Sequence, residues 1–128
     1  MSNEQTPEAN RRTSIARKAA YSKAAKKRLH DARIKLGGVK ARIRSATVAR
    51  QIVVSRQLED AQRAVDANLV AAESSLERLR KSGDNAWEDL TPDVDTAWED
   101  LSQSIKKLVA GYSEGKRQSG GEDEQDDY

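Results

Sequence analysis

Residues 83–105 read GDNAWEDLTPDVDTAWEDLSQSI, an acidic stretch with an internal repeat. The pentapeptide AWEDL occurs in it twice, eleven residues apart, with Pro92 between the copies. Residues 84–94 and 95–105 agree at eight of eleven positions when conservative matches are included. Eleven residues complete three helical turns at about 3.67 residues per turn. The repeat therefore predicts a helical unit that places equivalent side chains on one face.

The same step of eleven residues continues beyond the repeat. Large apolar residues recur at Val54, Val65, Leu76, Trp87, Trp98 and Val109, and further series run beside them. This pattern predicts a long helix over residues 39–112 with a hendecad seam, and not a left-handed heptad seam. We expect a partner helix to pack on this seam, formed by Val54, Leu58, Val65, Leu69, Leu76, Leu79, Trp87, Leu90, Val94, Trp98, Leu101 and Ile105.

Two sites could interrupt this helix, at residues 82–83 and 91–92. The apolar phase survives both, which favours one kinked, nearly continuous helix with Pro92 on the side away from the tryptophans. However, Thr91-Pro92-Asp93 also has the chemistry of a helix start. A true break therefore remains the alternative.

The composition does not suit an ordinary compact core. The 128 residues include no Phe and two Trp, and 34% of them are charged. Long helices with narrow apolar seams suit such a chain better. The predicted fold class is all-α, with elongated amphipathic helices arranged as a hendecad coiled coil, a helical hairpin or a bundle. The polar residues 1–6 and 113–128 are expected to be disordered.

The first helix is predicted over residues 7–36, which are rich in Ala, Lys and Arg. Thr6, Pro7 and Glu8 resemble a cap and first turn. Gly37-Gly38 follows, and two glycines cost about 2 kcal/mol of helix propensity relative to alanines. This cost permits a break there without requiring one.

The net charge of +2 conceals two oppositely charged halves. Residues 1–57 carry fifteen Lys/Arg and three Asp/Glu, whereas residues 58–128 carry eight and eighteen. Residues 84–105 could pair with residues 11–35, but only through a second bend or a neighbouring chain. Alternatively, residues 11–56 could bind nucleic acid or an anionic membrane. The candidate residues for that role are Arg11, Arg12, Arg17, Lys18, Lys23, Lys26, Lys27 and Arg28.

The sequence contains no pattern of residues that is typical of a catalytic site or a metal site. The chain has no cysteine and a single histidine, His30, without a second metal ligand near it in sequence. The carboxylates of the repeat are interpreted as a solvated face. We expect no enzyme activity, no cofactor and no metal site. No apolar run of 18 residues or leader pattern is present, so the expected location is the cytoplasm, with peripheral membrane association as an alternative.

The segment from Leu58 to Tyr112 resembles a group of small, uncharacterised or stress-associated bacterial coiled-coil proteins. Their hallmark is an SGDAWEDL-like segment followed one hendecad later by an AWDDL-like segment. The matching residues are Ser82, Gly83, Asp84, Ala86, Trp87, Glu88, Asp89 and Leu90, and then Ala97, Trp98, Glu99, Asp100 and Leu101. The resemblance implies a long-helix fold without enzyme activity.

The sequence thus predicts a non-enzymatic structural or interaction protein that acts through helix–helix association. A single helix cannot bury its own seam, so the seam requires self-association or folding back. A homo-oligomer or a helical partner protein is the expected assembly. The alternative is a module that binds anionic surfaces through the basic first helix.

Overall fold

A computed structural model describes residues 7–118, with side chains from Arg11 onward. Helix α1 spans Pro7–Val48, α2 spans Arg56–Lys81 and α3 spans Thr91–Lys116, and a short 3₁₀ helix at Trp87–Leu90 precedes α3. The predicted all-α fold is confirmed. Residues 1–6 and 119–128 of the predicted disordered ends lie outside the described part. The boundary predicted at residue 113 is wrong, because α3 continues to Lys116.

The three helices run up, down and up. Arg33 contacts Glu73 and Lys40 contacts Asp66, so α1 and α2 are antiparallel. Tyr21 contacts Asp95 and Arg28 lies over Trp98, so α1 and α3 are parallel. Helices α2 and α3 approach each other most closely, and α1 lies nearer to α2 than to α3. The result is a three-helix bundle with a more open seam between α1 and α3.

Buried side chains follow a seven-residue repeat. In α2 and in the segment from the 3₁₀ helix through α3, one buried residue recurs every seventh position, as Leu58, Val65, Ala72 and Leu79, and as Trp87, Val94, Leu101 and Leu108. In α1, buried residues alternate at steps of four and three, as Ala25, Leu29, Ala32, Leu36, Val39, Ile43 and Ala46. This spacing is typical of left-handed helix packing.

The predicted hendecad is not confirmed. Val54, Trp98 and Val109 of the eleven-residue series are only partly buried at the edge of the core. Steps of seven and eleven residues rotate a side chain by about 20° in opposite directions on a straight helix. Both patterns therefore stay on one face of a 26-residue helix, and the neighbouring helices select which members are central.

Helix α1 continues through Gly37-Gly38, so the predicted end at residue 36 is wrong. Leu36 and Val39, on either side of the glycines, are both buried, while the glycines are exposed. Packing of these flanking residues offsets the low helix propensity of the pair.

The first turn lies at residues 49–55, where no break was predicted. Arg50 adopts a left-handed conformation with φ 62°, the Arg50 N–H donates to Thr47 O, and the Gln51 N–H donates to Ala46 O at 2.7 Å. These bonds form the helix-ending motif in which glycine usually holds the left-handed position. The sequence signal was missing because that position is an arginine.

The second turn lies at residues 82–90. It confirms the alternative prediction, a true break in the helix between Ser82 and Pro92. Helix α2 ends before Ser82, and Pro92 lies in the first turn of α3, where its missing N–H costs nothing. The single helix predicted over residues 39–112 is therefore wrong, with interruptions at 49–55 and 82–90. The first AWEDL copy lies largely in the 3₁₀ helix and the second lies in α3. The same pentapeptide sequence therefore adopts two different local structures.

Replacing both Gly37 and Gly38 with alanine should raise the free energy of unfolding by about 1–2 kcal/mol. A Cβ built at either position meets nothing within 4 Å, so the gain in helix propensity is not offset by a clash. Urea denaturation followed by circular dichroism measures the change. A loss of stability would show that α1 needs a flexible joint at this point.

Candidate anion-binding surface

The basic and acidic halves of the sequence contact each other within one chain. The Tyr21 hydroxyl donates to Asp95 Oδ1 at 2.5 Å, and Arg17 Nη1 lies 3.5 Å from Glu88 Oε2. The pKa of Tyr21 is raised above its ordinary value, first by burial and then by this hydrogen bond. The turn at residues 82–90 supplies the second bend that this pairing needs.

Trp87 is fixed at this end of the bundle by a set of hydrogen bonds. Its indole N–H donates to Ser14 Oγ at 2.9 Å, and the Ser14 hydroxyl donates to Asp84 O at 2.7 Å. The Tyr21 ring lies 6.1 Å away, centroid to centroid. Trp87 is therefore committed to the core and cannot serve as a free docking residue.

The predicted seam residues lie together in the core of the bundle. Of the twelve, eight are buried and the remaining four pack at its edge, namely Val54, Leu69, Leu90 and Trp98. The helices on which they pack belong to the same chain. The seam therefore does not by itself require a second molecule.

The eight basic residues predicted as an anion site do not form one free surface. Lys18 donates to Ser82 O at 2.5 Å, Arg17 contacts Glu88 and Lys27 contacts Asp31. Arg28 lies over Trp98, and Arg12 is also engaged. Arg11, Lys23 and Lys26 complete the set and are exposed on α1.

The excess positive charge instead collects where the first turn and the end of α3 meet. We call this region, residues 33–68 and 104–118, the basic end. It carries twelve Lys/Arg and four Asp/Glu, a net charge of +8. Residues 11–32 and 69–103 carry eleven and ten, a net charge of +1. Charge counts along the sequence do not show this difference, because the cations of the basic end come from both halves of the chain.

A furrow follows the open seam between α1 and α3 and extends from the basic end to Arg28 and Trp98. Cavities of about 270 Å³ and 340 Å³ share Lys35, and the second shares Arg42 and Tyr112 with a further cavity of about 240 Å³. The three cavities therefore lie next to one another along the seam, and together we call them the α1–α3 furrow. Partly buried Trp98 and Tyr112 line it from α3.

Cations are spaced regularly along this furrow. Arg28, Lys35 and Arg42 recur every seven residues on α1, about 10 Å apart. Lys106 faces them from α3. Asp31 is the one carboxylate among the described lining residues of the three cavities, and it already contacts Lys27 at 3.2 Å. Within the described chain, Lys35, Arg42 and Lys106 contact no acidic side chain.

A larger groove of about 800 Å³ lies between the start of α2 and the end of α3. Small and apolar residues line much of it, including Ala61 and Gly111, and a Cβ on Gly111 would lie 3.5 Å from Leu58 Cδ1. Its charged residues are Asp60, Glu114 and Lys107, a net charge of −1. This α2–α3 groove therefore does not select for anions.

Residues 7–118 contain no group of three His, Cys, Asp or Glu side chains placed to hold a metal ion. None of the described helices is both long enough and apolar enough to cross a membrane. His30 is exposed on α1.

No known protein family, curated protein sequence or solved structure matched this chain. The resemblance to the tandem-tryptophan coiled-coil proteins thus stays a prediction.

Proposed function

We propose that this chain is a non-enzymatic helical binding module that holds single-stranded nucleic acid along its basic end. The net charge of +8 at that end is the observation that carries the proposal. Lys35, Arg42 and Lys106 can neutralise successive phosphates without giving up an acidic partner within the described chain. The anion site then lies along the α1–α3 furrow, and not at the start of α1 where the sequence predicts it.

The aromatic residues favour a single strand over a membrane surface. Trp98 and Tyr112 lie on the same helix fourteen residues apart, which places them about 21 Å from each other. Both are partly buried in the furrow beside cations, with Arg28 5.9 Å from the centroid of the Trp98 ring. Bases of a single strand can stack on aromatic side chains without sequence preference if Arg28 and Lys116 move off the two rings onto phosphates.

Binding to a fluorescent oligothymidylate should weaken steeply with salt. Three phosphate contacts give a slope of about −2 in log affinity against log salt concentration for a single strand. Raising NaCl from about 50 to 200 mM should therefore reduce the affinity roughly twentyfold. Fluorescence anisotropy measures both affinities. Stronger retention on anionic vesicles than on the oligonucleotide would favour a membrane ligand and contradict this proposal.

The double charge reversal Lys35→Glu/Arg42→Glu should lower the oligonucleotide affinity at least tenfold. The matched control is Lys23→Glu/Lys26→Glu, which makes the same change in net charge at exposed positions of the same helix outside the basic end. It should change the affinity about twofold or less when both variants are measured at about 0.1 M NaCl, where the screening length is roughly 10 Å. Equal losses in the two variants would reject the furrow as the binding site.

Association between copies of the chain stays a prediction, but its physical basis has changed. The buried seam no longer supplies the driving force. The α2–α3 groove is the apolar surface left for a second copy or a partner helix. Sedimentation velocity over a range of protein concentrations tests whether copies associate.

A further inference from the structure

The chain carries a strongly acidic segment next to its most basic surface. Residues 122–127 read EDEQDD, five carboxylates in six positions, and they follow Gly120-Gly121. Helix α3 ends at Lys116, at the basic end of the bundle. We propose that residues 122–127 dock along the α1–α3 furrow of the same chain.

Charge complementarity selects the furrow over the α2–α3 groove. The furrow presents Arg28, Lys35, Arg42 and Lys106, and the carboxylate of Asp31 is already paired with Lys27. The α2–α3 groove presents the single cation Lys107, and its carboxylates Asp60 and Glu114 are paired with Arg63 and Arg117. Five additional carboxylates would meet four cations along the furrow and one in the groove, so attraction is stronger along the furrow.

The length of the segment also fits. Residues 119–128 can span at most about 33 Å when extended. The distance from Gln118 back along α3 to Lys106, which lines the furrow together with Lys35, is about 18 Å. Gly120-Gly121 lies between Gln118, the last described residue, and the carboxylates, where glycine tolerates the backbone conformations of a tight reversal. The acidic segment can therefore turn back and pass Arg42 and Lys35.

The docked segment would occupy the cations that the proposed function assigns to phosphates. Nucleic acid would then have to displace residues 122–127, so the apparent affinity of the chain would be lower than that of an open furrow. Docking itself requires no nucleic acid. The two proposals can therefore fail separately.

A nitroxide attached to Gln125→Cys in the full-length chain tests the docking. The natural sequence has no cysteine, so the label goes to one position, and this substitution leaves all five carboxylates in place. In ¹⁵N-labelled protein at low salt, amide signals around Lys35 and Arg42 should lose more than half of their intensity. Signals around Ala61 and Ala64 in the α2–α3 groove should be much less affected.

A matched variant separates charge pairing from proximity. It keeps the label and the chain length but carries Glu122→Gln, Asp123→Asn, Glu124→Gln, Asp126→Asn and Asp127→Asn. The attenuation should disappear in this variant, and also at about 1 M NaCl, where the screening length falls to roughly 3 Å. Attenuation centred on the α2–α3 groove, spread evenly over the bundle, or lost on dilution would overturn docking within one chain.

Discussion

Trp87→Ala should lower the free energy of unfolding by about 3–5 kcal/mol, whereas Trp98→Ala should lower it by roughly 1–2 kcal/mol. Trp87 is 5% exposed and donates a hydrogen bond to Ser14, so its removal leaves a cavity and an unpaired hydroxyl acceptor. Trp98 lies at the edge of the core beneath Arg28. Urea denaturation monitored by circular dichroism gives both values.

Trp87→Phe serves as a control for the hydrogen bond. It keeps most of the ring volume and removes the indole N–H, so about 1 kcal/mol of the loss should remain. Equal costs for Trp87→Ala and Trp98→Ala would mean that the two AWEDL copies occupy equivalent places on one seam. That result would contradict the bundle and support the eleven-residue pattern.

Leu108→Ala should cost about 3–4 kcal/mol, and the adjacent Val109→Ala only about 1 kcal/mol. Leu108 is fully buried and belongs to the seven-residue repeat, whereas Val109 belongs to the eleven-residue series and is only partly buried. The pair therefore measures which repeat is central. Thermal unfolding should rank the variants in the same order.

Val70→Ala is a suitable control for this comparison. Val70 lies on α2 with 61% of its surface exposed, so the substitution should change the stability by about 0.5 kcal/mol or less. If Val109→Ala proved as costly as Leu108→Ala, the seven-residue repeat would not be the central one. If Val70→Ala were equally costly, its face of α2 would be covered by another molecule.

Much of the core could be predicted because helical periodicity is a local property. The spacing of Leu58, Val65, Leu79 and Leu101 places these residues on one face of any helix that contains them. The breaks were harder to predict. Ser82-Gly83 and Thr91-Pro92 carry visible turn chemistry, but the turn at Arg50 has neither glycine nor proline, and Gly37-Gly38 carries that chemistry inside a helix.

The binding surface was harder to predict than the core. Charge counts along the sequence assigned the anion site to the start of α1, where Arg17 and Lys18 turn out to be engaged by the turn at residues 82–90. The furrow combines Lys35 and Arg42 with Lys106, which comes from the acidic half of the sequence. Only the return of α3 beside α1 brings these cations together.

The sequence by itself determined that the chain is helical and which faces of its helices are apolar, since propensity and periodicity act over a few turns. The tertiary structure decided where those helices end, which repeat lies at the centre of the core, and which charges remain unpaired. Each of those outcomes depends on contacts between residues far apart in the chain. Packing around Leu36 and Val39 carries α1 through two glycines, and the parallel approach of α1 and α3 creates the furrow that neither helix has alone.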